Sequence, residues 1–276
     1  MPSSLIIKMT GNEDMHHGAY MASMLQGVMM ERIDSGYAGI LHESGFHPYS
    51  QFVEIGEGEI LWHVHALTED AEKAVIEPLL DADYSQVELT HRNEILRIRE
   101  KSVRRCAYEE LIEKYYLGDC SRNLPIRIRT PMAFRQNGRY CIFPTVRLIF
   151  QSLMMRFDAC STESSIFTDE LLQEFESLTE ITDYRLRSVR FSLEKVRIPS
   201  FIGDLKIHVN GPQQMANVAW MLAKFGEFSG IGIKTGIGMG AVSIDENLLR
   251  KQGRNGGQKK QNPDKQPIRR ENVCIS

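Results

Sequence analysis

Several things are scarce in this chain of 276 residues, and each scarcity excludes something. No apolar stretch approaches the roughly 20 residues that a helix needs to cross a bilayer, so no membrane partner is expected. The opening Met1-Pro-Ser-Ser-Leu-Ile-Ile-Lys-Met9 has too short an apolar core for a secretory signal, and the expected location is the cytoplasm. The five cysteines, at 106, 120, 141, 160 and 274, are odd in number, scattered and without a C-x-x-C pair. That pattern argues against a disulfide framework or a zinc ribbon and reads as reduced thiols. Surplus positive charge is also missing: the net charge is −3, which by itself does not mark a nucleic-acid binder.

What is present is an ordinary globular composition, 42% hydrophobic and 25% charged, with enough chain for two domains. The charges are segregated. Between Arg156 and Arg185 there are eight acids and no Lys or Arg, whereas arginines crowd 92–105, 122–147 and 185–197. From Arg250 onward eight Lys/Arg stand against Asp264 and Glu271 in a stretch too polar to bury a core, so residues 248–276 read as a basic, disordered tail. A protein with one positive side can steer RNA despite a negative total.

Periodicity orders the rest. Leu5–Met9 reads as a strand, and Met21, Met24, Leu25, Val28, Met29 and Ile33 share one helical face. Residues 35–50, with three glycines and Pro48, read as loop. Strands at 51–55 and 59–67 flank the hairpin signal Gly56-Glu-Gly58; a helix over 69–80 and one strand over 86–99 follow. This is the ferredoxin-like order. A helix at 107–117 leads to Gly118–Asn123, where a domain boundary is placed, giving domains 1–118 and 119–247. The second half begins with the alternating Leu124–Arg129, turns at Gln136-Asn-Gly138, and has Pro144 as the first residue of a helix to Phe157. A helix over 169–178, strand runs at 185–198 and 201–209, a helix around 215–225 and a strand at 241–244 complete it. The fold class is α+β, two ferredoxin-like (RRM-like) units in tandem.

The densest signal is Gly230-Ile-Gly232-Ile-Lys234-Thr235-Gly236-Ile-Gly238-Met-Gly240. It follows a helix and precedes a strand, the reverse of the strand-loop-helix order of a P-loop or dinucleotide site. Two readings remain, a loop whose exposed amides and Lys234 contact a polyanion or a glycine-rich connection that lets a helix and a strand pack closely, and the Lys-Thr pair at its centre favours the first. His63 and His65 alternate on one strand face, but no Cys or carboxylate at suitable spacing completes a metal site, so no metal or cofactor is expected and the pair reads as structural.

That glycine loop, together with Leu41-His42-Glu43, Pro48-Tyr49-Ser50 and Thr130-Pro131-Met-Ala133-Phe134, resembles the CRISPR-associated endoribonucleases that cut precursor CRISPR transcripts within each repeat, members of the RAMP superfamily. The resemblance spans about residues 4–245 and leaves the tail outside. It implies metal-independent cutting of CRISPR repeat RNA, by 2′-OH attack, to a 2′,3′-cyclic phosphate and a 5′-hydroxyl. Contact with effector-complex subunits and homodimerisation stay open. It makes His42 the catalytic histidine. Where relatives carry a tyrosine on the first helix this chain has Met30, so Tyr37 is the substitute candidate; where some carry a lysine, His47 stands nearby. Lys234, Thr235, Gly230, Gly232, Gly236 and Gly238 are the RNA-binding candidates in the loop, and Arg127, Arg129, Arg135 and Arg139 those on strands. The alternatives are a non-catalytic RAMP subunit that holds guide RNA and a ferredoxin-like sensor of small molecules.

Overall fold

The strict burial alternation of Ser3–Thr10 (β1) makes it a centre strand with both neighbours paired antiparallel. A computed structural model describes residues 1–12, 16–56, 58–161, 165–193 and 196–245; the basic tail assigned to 248–276, and Cys274, lie outside them. After β1 come helices Met21–Arg32 (α1) and Ser35–Ser44 (α2), and strands Tyr49–Ile55 (β2) and Ile60–Ala66 (β3). A helical segment follows, Glu69–Ala71 (α3), a π turn Glu72–Ile76 and Glu77–Leu80 (α4), and then Gln86–Leu89 (β4) and Glu94–Arg105 (β5). The sheet order is β2-β3-β1-β5-β4, the ferredoxin-like arrangement with β4 added at the edge.

The second half repeats the plan. Tyr108–Leu111 (α5) and a π turn Ile112–Tyr116 lead to Asn123–Met132 (β6), the hairpin Phe134–Gln136 (β7) and Arg139–Cys141 (β8), and helices Val146–Cys160 (α6) and Asp169–Leu178 (α7). Strands Thr179–Leu193 (β9) and Val196–Val209 (β10), helix Gln213–Ser229 (α8), a 3-10 turn Thr235–Ile237 and Val242–Ile244 (β11) finish it. The order β11-β6-β10-β9 is again ferredoxin-like. Each sheet has its own apolar core, and both belong to one compact unit, Met1–Asp245. Among the described residues no helix is long and apolar enough to cross a membrane.

The structure differs from the sequence reading at four places. Residues 35–44 are helix α2 and not loop, so His42 sits on a helix. Asp34 caps it by accepting from the Gly36 amide at 2.8 Å, and Gly45 ends it with φ 62°. Glycine costs a helix interior about 1 kcal/mol, and burial of Leu41 with packing of Tyr37 and Ala38 outweighs this at Gly36 and Gly39. The single strand expected over 86–99 is the hairpin β4–β5, turned by Asn93 at φ 50°. The buried residues change phase from odd, Val87 and Leu89, to even, Leu96, which one continuous strand cannot do.

Helix α6 starts after Thr145, whose hydroxyl accepts from the Leu148 amide at 3.2 Å, so Pro144 precedes the helix. The strand break expected at 199–200 does not occur: β9 and β10 pair from Leu193↔Val196 to Thr179↔Val209. Pro199 is tolerated inside β10 because pairing with β6 begins only at Phe201.

Candidate active site

The glycine loop leaves α8 and folds onto the first half, and two of the motifs singled out with it, Thr130-Pro131-Met-Ala133 and Pro48-Tyr49-Ser50, receive it. From Thr130-Pro131-Met-Ala133, the Pro131 carbonyl accepts from the Gly240 amide at 3.0 Å, the Ala133 carbonyl from Ile233 at 3.0 Å, and the Thr130 hydroxyl from Ala241 at 2.9 Å. From Pro48-Tyr49-Ser50, the Tyr49 ring lies where a Cβ at Gly236 would meet it at 3.2 Å, and the buried Ser50 hydroxyl donates to the Phe228 carbonyl. Gly238, at φ 106°, has Ala22 of α1 where a side chain would be. Gln51 ties the joint: its amide donates to the Ala22 carbonyl at 2.7 Å and the Gly236 carbonyl at 3.2 Å, while its oxygen accepts from Trp62 at 2.9 Å.

The loop therefore does not present a row of exposed amides. Those of Ile231, Gly232, Ile233 and Gly240 donate inward, because a buried N–H must find an acceptor. Gly230, Thr235, Gly236 and Gly238 are buried and Gly232 is half-buried. The residue left exposed is Lys234. It is held in the left-handed region at φ 57°, at a cost of about 1 kcal/mol for a non-glycine residue, by Ile237 and Met239 amides that both donate to its carbonyl at 3.1 and 3.3 Å.

A corner of side chains gathers beside Lys234. His42, exposed in the last turn of α2, and His47, exposed just before β2, are brought together when the chain reverses at Gly45. His47 stacks on Tyr49 at 5.5 Å between ring centroids and hydrogen-bonds the Leu41 carbonyl. Partial burial pushes its pKa below the usual histidine value, against the pull of that hydrogen bond, and Arg156, His42 and Lys234 lower it further. Tyr37 packs from α2 against the first core, with Tyr49 and Cys160 near enough to act on its phenol, and no hydrogen bond joins it to His42 among the described residues. Burial raises its pKa to about 12, so its phenol keeps its proton at neutral pH and is a donor, not a base.

The arginines separate into two groups. Arg127 is paired with Asp204 at 2.9 Å and Asp245 at 3.0 Å, and Arg129 grips Glu54 of β2 with two N–H groups while lying over Phe52. Burial would raise the Glu54 carboxyl, but His63 and Arg129 hold it at about 2. Arg135 and Arg139 are exposed on the β7–β8 hairpin, which turns at Asn137 and Gly138 as expected. His63 stacks on Phe52 at 4.2 Å and reaches Glu54 at 3.3 Å. His65 is fully desolvated and kept neutral, its pKa lowered to about 3, with Nδ1 3.0 Å from the Phe228 carbonyl. Both carry structure between the two halves.

Two imidazoles and an exposed amine on one corner, with no carboxylate among the charges acting on His47, suit proton transfer at an anionic centre. Sequence reasoning missed Arg156 and Gln51. A single arginine among the buried Leu153, Met154 and Phe157 of α6 was the available signal for the first; a buried glutamine in a strand leaves none.

Residues 126–242 match the family model described as CRISPR-associated endoribonuclease Cas6. The chain is 32% identical over 233 residues to the CRISPR-associated endoribonuclease Cas6 of Streptococcus thermophilus, covering 84% of this chain and 94% of that protein. It is 30% identical over 221 residues to the CRISPR-associated endoribonuclease Cas6 of Mycobacterium tuberculosis, covering 80% and 70%. Among solved structures, a Cas6 product complex shares the fold with a TM-score of 0.75 at 23% identity, over 88% of this chain and 99% of that one.

Proposed function

The chain belongs to the CRISPR-associated endoribonuclease Cas6 family, and from that premise we propose that it cuts precursor CRISPR RNA within each repeat by metal-independent attack of a ribose 2′-hydroxyl. It is an endoribonuclease of CRISPR RNA processing. The finer reading is supported by one observation above all: with the glycine loop docked, the charges of Lys234 and His42 both act on His47.

Cleavage needs a base to take the 2′-hydroxyl proton, in-line attack on the adjacent phosphorus, and an acid to protonate the departing 5′-oxygen. His47, kept neutral by partial burial and its cationic neighbours, is the base; His42 is the acid; Lys234 meets the charge that builds on the phosphoryl oxygens. The new P–O2′ bond closes as the P–O5′ bond opens, leaving a 2′,3′-cyclic phosphate and a 5′-hydroxyl. Tyr37, whose phenol keeps its proton, is assigned the packing of α2 against the first core and no proton transfer. Arg135 and Arg139, on an exposed hairpin, contact the RNA backbone, whereas Arg127 and Arg129 keep their carboxylates. Residues 1–118 supply the histidine corner and residues from 119 on supply the loop, as the two sheets divide.

The test is cleavage of a cognate repeat RNA in EDTA by wild type and His42→Ala, with a substrate carrying 2′-deoxy at the scissile nucleotide as control. Cutting by wild type that is lost in both controls is expected. Tight binding without cutting would place the chain among RNA-holding subunits, and absence of binding would favour a sensor.

A further inference from the structure

Arg156 differs from the interface arginines in having no carboxylate. Among the described residues, Arg92, Arg105, Arg127, Arg129 and Arg147 each meet an Asp or Glu, whereas Arg156 enters no ion pair. Among the described residues its hydrogen bond is a long one, Nη2 to the Gly232 carbonyl at 3.4 Å. Ser152, one turn earlier on α6, accepts from the Gly232 amide at 2.8 Å, so the helix holds both polar groups of that loop residue. The guanidinium lies 5.9 Å from the centre of the Phe46 ring, and its charge reaches His47 alongside those of His42 and Lys234.

A guanidinium has five N–H donors in a fixed fork, and one carbonyl leaves most of them unused. Burial lowers its pKa to about 10, which still leaves it charged at neutral pH. A partly desolvated cation without a counterion is unfavourable unless an anion arrives. The fork matches two oxygens of a phosphodiester, and the other charges that act on His47 come from a lysine and a histidine.

We propose that Arg156 is a catalytic residue of the same site, binding the non-bridging oxygens of the scissile phosphodiester from the α6 side while Lys234 approaches from the loop. This rests on the functional reading above. It adds a second cation, supplied by a helix, to the lysine supplied by the loop.

The experiment measures single-turnover cleavage of repeat RNA, and binding of the 2′-deoxy RNA with either a natural phosphodiester or an uncharged methylphosphonate at the scissile position. Wild type, Arg156→Gln and Arg156→Lys are compared, each with its melting temperature. Arg156→Gln is expected to slow cleavage by about 10²–10³, the loss typical of one donor to a developing oxyanion. Arg156→Lys should recover part of that rate, because the charge returns without the fork. Wild type should bind the methylphosphonate more weakly than the phosphodiester, and Arg156→Gln should lose part of that discrimination, the remainder being due to Lys234.

A folded Arg156→Gln that cuts at the wild-type rate, or that discriminates the methylphosphonate as wild type does, overturns the proposal. If Arg156→Gln melts early, Arg156→Lys decides: slowed cleavage at unchanged melting supports the proposal, and an unchanged rate overturns it. Failure of wild type to cut the unmodified RNA would instead overturn the functional reading.

Discussion

Two pairs of histidines occupy this protein, and they behave as opposites. His63 and His65 sit on β3 between the halves, desolvated, the first stacked on Phe52 and the second edge-on to it, and fixed by Glu54 and the Phe228 carbonyl. His42 and His47 sit at the end of α2 and the start of β2, exposed and surrounded by cations. The same side chain is a strut where neighbours satisfy and bury it, and available for chemistry where solvent and unpaired charge meet it. The arginines repeat the lesson: Arg129 holds Glu54, while Arg156 waits without a carboxylate.

Substitutions should separate the two pairs cleanly. The largest effect is expected from His42→Ala, with cleavage of repeat RNA falling by about 10²–10⁴. Its melting temperature should be unchanged, because the removed ring is exposed. A comparable rate in single-turnover assays would end the assignment of His42. His65→Ala should do the reverse, lowering unfolding free energy in urea by about 1–3 kcal/mol through the lost partner of the buried Ser50 and Phe228 groups. Its cleavage rate per folded molecule should stay within a few-fold of wild type; a catalytic loss at full stability would reverse the assignment.

Acid should sharpen the contrast. The folded pKa of His65, about 3, lies below its ordinary 6.5, so the unfolded chain binds the extra proton between those values. Stability is therefore complete above the ordinary value and falls as pH drops through that window, by up to about 1.4 kcal/mol per unit. His65→Gln should flatten that fall in urea titrations at stepped pH. His47, also lowered, should stay neutral as pH passes below the ordinary value, so the acid limb of the cleavage profile should lie below 6.5. An acid limb at or above that value would remove His47 as the base. The smallest effect is expected from Arg127→Ala: its pairs are half-buried near the surface, and surface pairs contribute about 0–1 kcal/mol, so melting and RNA binding should both change little.

Much of the fold was legible because its determinants are local. Alternation in β1 and β6, the Asn137-Gly138 turn and the acidic start of α7 are each set by residues within a few positions. The errors came where a local signal was outweighed. Glycines in residues 35–45 spoke for loop, but an Asp34 cap and the buried Leu41 made a helix. A hairpin hidden in 86–99 needed the phase change of its buried residues to be noticed. The candidate site was legible as three motifs and a glycine loop, but not as a lock and its receptor.

The sequence alone therefore determined two ferredoxin-like units, the glycine loop between a helix and a strand, and two histidines five positions apart. Only the tertiary structure decided which charges remain available. Periodicity, capping and turn preference act between near neighbours, whereas charge compensation acts between whatever the fold brings close: Glu54 with Arg129 and Asp204 with Arg127, while Arg156 reaches the neutral Gly232 carbonyl. Whether a given arginine ends beside a carboxylate or a lone carbonyl is settled only when the two halves close on the loop.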